Sequence, residues 1–390
     1  MASQLSDTQM SDLDQIIGTQ ASDTIPTLGS QAVRVKGILE SGIDQDRGIV
    51  RFLIDWDGTD EDGDPLEPGW ESFYAINDPT ILYSHYMGWP TWPQRGTPEE
   101  DALDAAAGNP HWELFKQGFL AVLEAVAKDA IAHVSLRDVY TMVGTFVRMA
   151  YQMMISIPVP VLQGILGGGL LRRKARSEDM YAWLTNNLRK SEDRPSVYLI
   201  EFADEIGRSL TYRDMLAILK GARQYMNMHL AADVEFAIKV ESNEGELDLF
   251  EEQAIRSGVR KWVTSDKAKE RLDELVTNLE SRIQNDLAQD PNKSRRMPFV
   301  LRDIGYTIRG IKRLDAHLDH TGSANKIMAL FALVAKAKGL EKHALHADVI
   351  FLAFRDEHAI AAEVLFSLLA RSYTTTGTGF NSIQAGLSNV

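Results

Sequence analysis

The sequence predicts a mainly α-helical protein with a small β-rich module near its N-terminus. Three observations lead to this fold class. From residue 110 onward, apolar residues recur at helical spacing over most of the chain. Residues 33–76 instead form short apolar runs separated by Gly, Asp and Pro, as strands do. Both ends of the chain are polar, which predicts extended arms rather than core elements.

The N-terminal quarter is expected to contain an arm over residues 1–30 and a β-rich acidic module over residues 31–95. The strand-like runs of the module are VRVKGILE, RGIVRFLIDW and WESFYAI. A link rich in Pro and Trp, MGWPTWPQRGTPEED, follows from residue 87.

The helical body extends from about residue 110 to residue 371. Ser135 and Thr211 each precede a periodic segment and have Asp three residues later, which is typical of a helix N-cap. Residues 264–287 form a long charged amphipathic pattern. Further helices are predicted at roughly 323–338, 342–354 and 356–371. The apolar run 153–171 is interrupted by two prolines and four glycines, so we expect a buried connection between helices rather than a membrane span. Residues 372–390 are expected to be a C-terminal arm.

Charge is distributed unevenly along the 390-residue chain. The net charge is -14, and residues 1–109 contain 20 acidic and five basic residues, a net charge of -15. The remaining residues therefore carry a net charge of +1. Against this neutral background the stretch KSRRMPFVLRDIGYTIRGIKR (293–313) holds seven Lys or Arg and one Asp. Such a pattern, interleaved with aromatic residues, favours a polyanion as partner.

Two shorter basic groups accompany this stretch. One is LLRRKAR (170–176), which directly follows three glycines, and the other is Lys220 and Arg223 beside Tyr225. Solvated helix faces that pair with nearby acids would give the same local pattern. Because three groups occur in a body that is otherwise balanced in charge, the sequence favours nucleic acid.

No motif for catalysis or for metal binding accompanies the basic groups. The chain has no cysteine, no G-x-S-x-G, no HExxH and no phosphate loop, since GGG at 167–169 is not followed by GK[ST]. The histidine pairs 317/320 and 343/346 lack further ligands at a recognised spacing, and the acidic loop 55–71 does not fit the EF-hand template. We therefore predict no enzymatic activity, no cofactor and no metal site.

Residues 33–86 resemble a chromodomain. VKGILESGIDQDRGIVRFLIDWDG is similar to the strands of that family, and GWESFYAINDPTILYSHY is similar to the start of its terminal helix. The family holds methyl-lysine in a cage of three aromatic side chains. Trp56 matches one cage position, but Val33 and Thr59 stand at the other two. The resemblance therefore implies a small curled sheet that serves a protein contact other than methyl-lysine binding.

The helical body resembles the nucleoproteins of non-segmented negative-strand RNA viruses. NLESRIQND (278–286) is similar to a segment of paramyxovirus nucleoproteins, and the overall size and polar arms suit the family, including its mymonavirus branch. The resemblance implies two helical lobes, here 110–262 and 263–371, that clamp RNA between them. It also implies arms that dock on neighbouring copies, and a location in the virion and the host cytoplasm. A viral polymerase or a second viral protein is a further candidate partner, and no membrane is expected.

These observations together predict a viral nucleoprotein that binds single-stranded RNA without sequence specificity and polymerises on it. The residues predicted to bind RNA are Arg172, Arg173, Lys174, Arg176, Lys220, Arg223, Tyr225, Arg295, Arg296, Arg302, Tyr306, Arg309, Lys312 and Arg313. Tyr225 and Tyr306 are the predicted stacking partners of bases. The alternatives are a chromatin or protein-interaction adaptor that uses the chromodomain-like module, a viral coat protein subunit, and a helical enzyme of unknown type.

Overall fold

The computed structural model describes residues 34–44, 49–60, 62–72, 102, 107–116, 119–132, 143–227, 229–321, 325–353, 356–376 and 379–381. This part of the chain contains 13 α-helices and two three-stranded antiparallel sheets, so the protein is mainly α-helical. The expected N-terminal arm, the Pro- and Trp-rich link and the helix start at Ser135 lie outside the described residues.

The strands are β1 (Arg34–Asp44), β2 (Ile49–Asp57), β3 (Gly69–Ser72), β4 (Ser196–Asp204), β5 (Leu301–Thr307) and β6 (His343–Leu352). The helices of the first part of the chain are α1 (Pro110–Phe115), α2 (Phe119–Ala132), α3 (Val143–Ile155), α4 (Val159–Gly167), α5 (Leu170–Lys174) and α6 (Glu178–Lys190). The later helices are α7 (Tyr212–Met226), α8 (Ala231–Glu241), α9 (Leu249–Arg256), α10 (Asp266–Gln289), α11 (Gly310–Leu318), α12 (Lys326–Ala337) and α13 (Asp356–Ala370).

The first sheet follows the strand predictions for the N-terminal module. Its order is β1-β2-β3, and both strand pairs are antiparallel. Phe52 and Ile54 of β2 are buried in a hydrophobic cluster shared with helices α1–α4, and Trp56 packs against the same cluster. The segment predicted as the terminal helix of a chromodomain lies outside the described residues, so the chromodomain resemblance stays a prediction.

The second sheet is not among the elements that the sequence predicts. Its order is β5-β4-β6, and β4 pairs with both neighbours along its length. The predicted helix over 342–354 is wrong, because residues 343–352 form β6. Strand β4 comes from the first expected lobe, whereas β5 and β6 come from the second. The expected boundary at 262/263 therefore separates strands of one sheet, and the two-lobed arrangement stays a prediction.

The second sheet separates two hydrophobic clusters. Val197 and Leu199 of β4 belong to the cluster of helices α1–α4, α6 and α13, whereas Tyr198 and Ile200 belong to the cluster of α7, α10 and α12. This alternation follows from the period of two in a strand, which sends successive side chains to opposite faces. Both faces of the sheet are therefore buried, and the ends of its strands are where functional side chains can reach solvent.

Helix starts and helix connections agree with the sequence patterns. The Thr211 hydroxyl accepts a hydrogen bond from the Asp214 N–H at 3.2 Å, as an N-cap residue does. The apolar run 153–171 contributes to α3, α4 and α5 and is buried along most of its length. It is therefore a buried connection, as predicted, although most of it is helical.

The first ten residues of the expected C-terminal arm include a segment that docks on the body of the same chain. Phe380 is buried in the second cluster, and its N–H donates to the Arg302 carbonyl at 2.7 Å. The Asn381 side chain accepts from the Ile304 N–H and donates to the Ile304 carbonyl. Residues 382–390 lie outside the described part of the chain, so an arm that docks on neighbouring copies stays a prediction.

A buried carboxyl on β5 predicts a measurable pH dependence. Burial raises the pKa of Asp303 to about 7. A hydrogen bond from Asn325 and the positive charge of Arg313 lower the same pKa, but burial outweighs them. The folded pKa lies above the unfolded value, so the contribution of Asp303 to stability is full below about pH 4 and is lost as the pH rises through 7. We expect Asp303→Asn, which stays neutral, to be more stable than wild type at pH 8 by on the order of 2 kcal/mol.

The measurement is urea unfolding of both proteins at pH 4.5, 6 and 8. The comparison with wild type is necessary because burial lowers the pKa of the neighbouring His317 to about 3, and this group acts in the opposite direction. Its stabilising contribution is present above pH 6.5 and is lost as the pH falls. A difference between the two proteins that is the same at all three pH values would contradict the assignment.

Candidate nucleic-acid interface

The basic stretch 293–313 does not form one surface, because strand β5 runs through its middle. Residues 293–296 precede the strand, whereas residues 309–313 follow it. A strand of seven residues is about 23 Å long at 3.3 Å per residue. Positive charges that are close in sequence are thus placed at opposite ends of the sheet.

The triple glycine before residues 170–176 makes room for arginine side chains. Gly168 ends helix α4 with a positive φ of 75°. A Cβ atom at Gly168 would lie 3.0 Å from Nη2 of Arg302, and one at Gly169 would lie 2.5 Å from Nη2 of Arg172. The glycines are therefore explained by close packing against these two guanidinium groups.

Arg302 is buried near the start of β5, an edge strand of the second sheet. Its side chain is 2% exposed and donates to the Ile165 carbonyl in the last turn of α4. Its cross-strand partner is Glu201, which accepts from the N–H groups of Leu170 and Leu171 at 3.3 and 2.8 Å. Burial raises the pKa of Glu201, while the charge of Arg302 opposes that rise. Arg302 thus compensates an internal carboxylate and is removed from the set of RNA-binding candidates.

Two further cations of the α5 segment are also engaged inside the protein. Arg173 is buried and donates to Oε1 of Gln163 at 3.3 Å. The Lys174 ammonium lies 2.5 Å from Oδ1 of Asp348 on β6, and its side chain is mostly buried. Of the other two cations in this group, Arg172 is half-buried and Arg176 is exposed.

Tyr225 cannot stack on a base, because its side chain is 0% exposed. Its hydroxyl donates to Oε1 of Glu241 at 2.6 Å and accepts from the Trp262 N–H at 3.2 Å. Burial and the nearby Glu241 carboxylate raise the pKa of this tyrosine. Its role is to join α7 to α8 and to the segment that precedes α10.

We expect Tyr225→Phe to destabilise the fold by about 2 kcal/mol, because a buried carboxylate and a buried N–H would each lose a partner. RNA affinity of the folded variant should equal that of wild type. Urea unfolding at pH 7 together with an RNA titration tests both statements. A variant that keeps full stability but loses RNA binding would restore Tyr225 as a candidate.

The two predicted cations of helix α7 differ in their surroundings: one faces solvent and the other forms an ion pair. Lys220 is exposed. The Arg223 guanidinium binds the Glu280 carboxylate of α10 through two hydrogen bonds, at 2.6 and 3.2 Å. Arg223 is therefore neutralised in the way that an ordinary surface helix pair would be.

The residues after β5 form a separate group at the opposite end of the sheet from 293–296. Arg309 and Lys312 are exposed, next to the chain that follows α6, where the Gly310 N–H donates to the Ser191 carbonyl at 3.0 Å. Arg313 is partly buried, with Nε 3.4 Å from the Tyr198 hydroxyl. Tyr306 is half-buried against the first hydrophobic cluster, so its ring is not a free stacking surface.

The structure brings two of the three predicted basic groups together at the C-terminal end of β4. A Cβ atom at Gly207 would collide with the backbone of Arg172, so helix α5 lies directly against the turn that follows β4. In that turn Nε of Arg208 lies 2.7 Å from Oδ2 of Asp204, and Nη1 of Arg296 lies 3.8 Å from the same oxygen. Segments 170–176 and 293–296, far apart in sequence, are neighbours here.

The segment 293–296 is also fixed to the start of helix α7. The Tyr212 N–H donates to the Arg295 carbonyl at 3.1 Å, and the Arg213 N–H donates to the Lys293 carbonyl at 2.9 Å. Nη2 of Arg213 lies 3.0 Å from the Ser294 hydroxyl. Arg295 pairs with Asp290 at 3.2 Å.

We name this surface the basic edge. Its cations are Arg172, Lys174, Arg176, Arg208, Arg213, Lys293, Arg295 and Arg296, and its carboxylates are Asp204, Glu205, Asp214, Asp290 and Asp348. Glu178 and Asp179, exposed in the first turn of α6 just after Arg176, also lie here, so eight cations face seven carboxylates and the formal charge of the basic edge is +1. Arg208 and Arg213 were missed by the sequence analysis, because each is an isolated cation in its stretch of sequence and only the fold brings them to the other cations.

Asp204 is the carboxylate at the centre of the basic edge. Burial alone would raise its pKa, but the hydrogen bonds and the charge of Arg208 outweigh burial and hold the pKa below its usual value. Asp204 therefore stays ionised near neutral pH. Arg208 and Arg296 share this one carboxylate, so the three side chains together carry a net charge of +1.

No family model, no curated protein and no solved structure matches the chain. Within the described ranges, no group of three or more His, Asp or Glu side chains could hold a metal ion. Among the same residues, no single helix is both long enough and apolar enough to span a membrane. The two segments Met149–Ile155 and Val159–Gly167 meet both criteria only when taken together, and they are bent by 107° relative to each other.

Proposed function

We propose that the protein binds single-stranded RNA through the basic edge. The observation that supports this proposal is the convergence of segments 170–176 and 293–296, joined by Arg208 and Arg213, at one end of the second sheet.

The chemistry of these side chains favours a phosphate backbone as the ligand. Guanidinium groups offer planar, fork-shaped donors that match phosphate oxygens, and each neutralised phosphate releases counterions. The cations come from helix α5, the first turn of helix α7, a turn and an extended segment. Binding through phosphates alone carries no sequence information, so the proposed activity is independent of sequence.

We propose that the acidic N-terminal quarter stays outside the binding surface. Its net charge of -15 would repel phosphates, and its β2 strand packs on the cluster of helices α1–α4 on one face of the second sheet. The body that carries the basic edge has a net charge of +1, so attraction of RNA depends on local rather than on global charge.

The experiment is a titration of a labelled 20-nucleotide single-stranded RNA with the full-length protein at several salt concentrations. Binding through several phosphates predicts that log K falls linearly with log[salt], by about 0.7 for each phosphate contacted on a single strand. Absence of binding at 50 mM salt would refute the proposal. Equal affinity for a duplex of the same length would refute the preference for a single strand.

Polymerisation on RNA is the second part of the proposed function. A nucleoprotein protects a fixed number of nucleotides per copy against nuclease, whereas a coat subunit that binds its genome loosely does not. Sedimentation with and without RNA, followed by nuclease digestion, therefore separates these two classes. Protected fragments without a constant length per copy would favour the coat subunit.

The adaptor alternative depends on the N-terminal module. Trp56, the one matched cage residue, packs against the first hydrophobic cluster, which leaves less of its ring for a ligand. Titration with a trimethyl-lysine peptide should give no binding. Micromolar binding of that peptide would favour the adaptor over the nucleoprotein.

A further inference from the structure

We propose that Tyr181 of helix α6 stacks against an unpaired base of the strand held at the basic edge. This inference rests on the proposed function and deepens it, because it makes the ligand a strand with accessible bases rather than any chain of phosphates. The sequence analysis did not single out Tyr181.

Tyr181 has the exposure that a stacking residue needs. Its side chain is 57% exposed, whereas Tyr225 is fully buried and Tyr306 packs against the first cluster. The neighbouring Met180 is buried, and so is Leu184 one turn later, which turns Tyr181 to the solvent side of the helix. The ring is thus not needed to fill either hydrophobic cluster.

The position of the ring is fixed from two directions. The Ser177 hydroxyl caps helix α6 by accepting from the Met180 N–H at 3.2 Å, so Tyr181 sits in a well-formed first turn. The Lys174 ammonium lies 5.6 Å from the centre of the Tyr181 ring and is itself held by Asp348. This cation–π contact helps to hold the ring in place.

The location distinguishes Tyr181 from the other large exposed aromatic residues in the described part of the chain. Trp70 follows the acidic loop of the N-terminal module, and Phe250 is 82% exposed between Asp248 and Glu251. Phosphates would be repelled at both places. Tyr181 also has Glu178 and Asp179 in its helix turn, but the Lys174 ammonium lies over its ring and Arg176 is close in sequence, so cations that can bind a backbone are present here.

Stacking is independent of base identity, because every base has a π face. The inference therefore agrees with binding that does not depend on sequence. It also predicts a preference that phosphate contacts alone cannot give: a strand with bases should bind more tightly than the same backbone without them.

The experiment compares wild type with Tyr181→Leu and Tyr181→Phe on two ligands. The ligands are a 12-nucleotide oligouridylate and an oligomer of the same length in which the central six residues are abasic. We expect Tyr181→Leu to weaken oligouridylate binding by roughly 5- to 150-fold, the loss of one stacked base. Tyr181→Phe should retain wild-type affinity, and both variants should bind the abasic oligomer as wild type does.

The salt dependence gives an independent readout. Tyr181→Leu should leave the slope of log K against log[salt] unchanged, because no phosphate contact is lost. Phe250→Leu is the matched control, since it changes an exposed aromatic residue outside the basic edge, and it should have no effect. Thermal melts of all variants check that the fold is intact.

Wild-type affinity of Tyr181→Leu for oligouridylate would overturn the inference, and so would an equal loss on the abasic oligomer. Neither result would refute the proposed function, which is tested separately by charge reversal at the basic edge: unchanged RNA affinity there would refute the proposed function. Failure of wild type to bind either oligomer would refute both.

Discussion

Replacing Arg176 and Arg213 together with glutamate is expected to weaken binding of single-stranded RNA by roughly 100-fold. Each guanidinium is exposed at the basic edge, and a charge-assisted hydrogen bond to phosphate contributes about 1.5–3 kcal/mol. Both residues lie at helix starts, Arg176 before the cap of α6 and Arg213 in the first turn of α7, where an acidic residue does not destabilise a helix. Fluorescence anisotropy with a 20-nucleotide RNA at 0.1 M salt measures the effect.

The matched control is Lys267→Glu with Lys269→Glu. It makes the same change in charge, also in the first turn of a helix. Helix α10 has 24 residues and is about 36 Å long, and its far end reaches the basic edge where Asp290 pairs with Arg295. The control should lose little affinity. Equal losses in the two double variants would mean that only net charge matters and that the basic edge is not a site.

Arg302→Met is expected to destabilise the fold by about 3–5 kcal/mol. Arg302 is buried opposite Glu201, and removing one partner leaves an uncompensated charge inside the protein. The Ile165 carbonyl at the end of α4 would also lose its donor. Urea unfolding at pH 7 gives the free energy directly. The variant should bind RNA normally wherever it remains folded.

Arg309→Met is the matched control for this substitution, because it removes the same side chain from an exposed position. We expect a change in stability within about 0.5 kcal/mol. Combining Arg302→Met with Glu201→Gln should recover part of the lost stability, since the unpaired charge disappears, while one of the two N–H groups of Leu170 and Leu171 keeps an acceptor in the amide oxygen. An Arg302→Met variant that is fully stable but no longer binds RNA would contradict the structural role.

Local sequence signals predicted the elements that depend on local chemistry. The long charged helix was expected over 264–287 and is found at Asp266–Gln289. Its cap, Ser265, accepts from the Ala268 N–H, as Ser and Thr do at helix starts. The strands of the first sheet were predicted because turn residues separate short apolar runs.

The second sheet was missed because polar residues on its buried faces hide the alternation. In β6, His346 and Asp348 point to the same face as Glu201, where Lys174 and the Ala203 carbonyl satisfy them. Without those partners in view, HALHADVIFL reads as a helical pattern of Ala, Leu and His. In β5, Arg302 on a buried face made an internal strand look like a surface segment.

Partners that are distant in sequence also explain why some of the predicted site residues are buried in the structure. Arg173, Arg302 and Tyr225 have partners 10 to 137 residues away, on segments that only folding brings near. A run of basic residues in the sequence shows where positive charge lies, but not which carboxylates neutralise it. Conversely, Arg208 and Arg213 are isolated in the sequence, and only the fold places other cations near them.

The most direct test of the basic edge is ultraviolet cross-linking of a uridine-rich RNA to the full-length protein, with the linked peptides identified by mass spectrometry. The expected peptides contain residues 172–181, 205–213 and 293–296. Cross-links confined to residues 34–72, 249–256 or 309–318 would contradict the proposed binding surface, as would the absence of any cross-link under conditions in which RNA is bound.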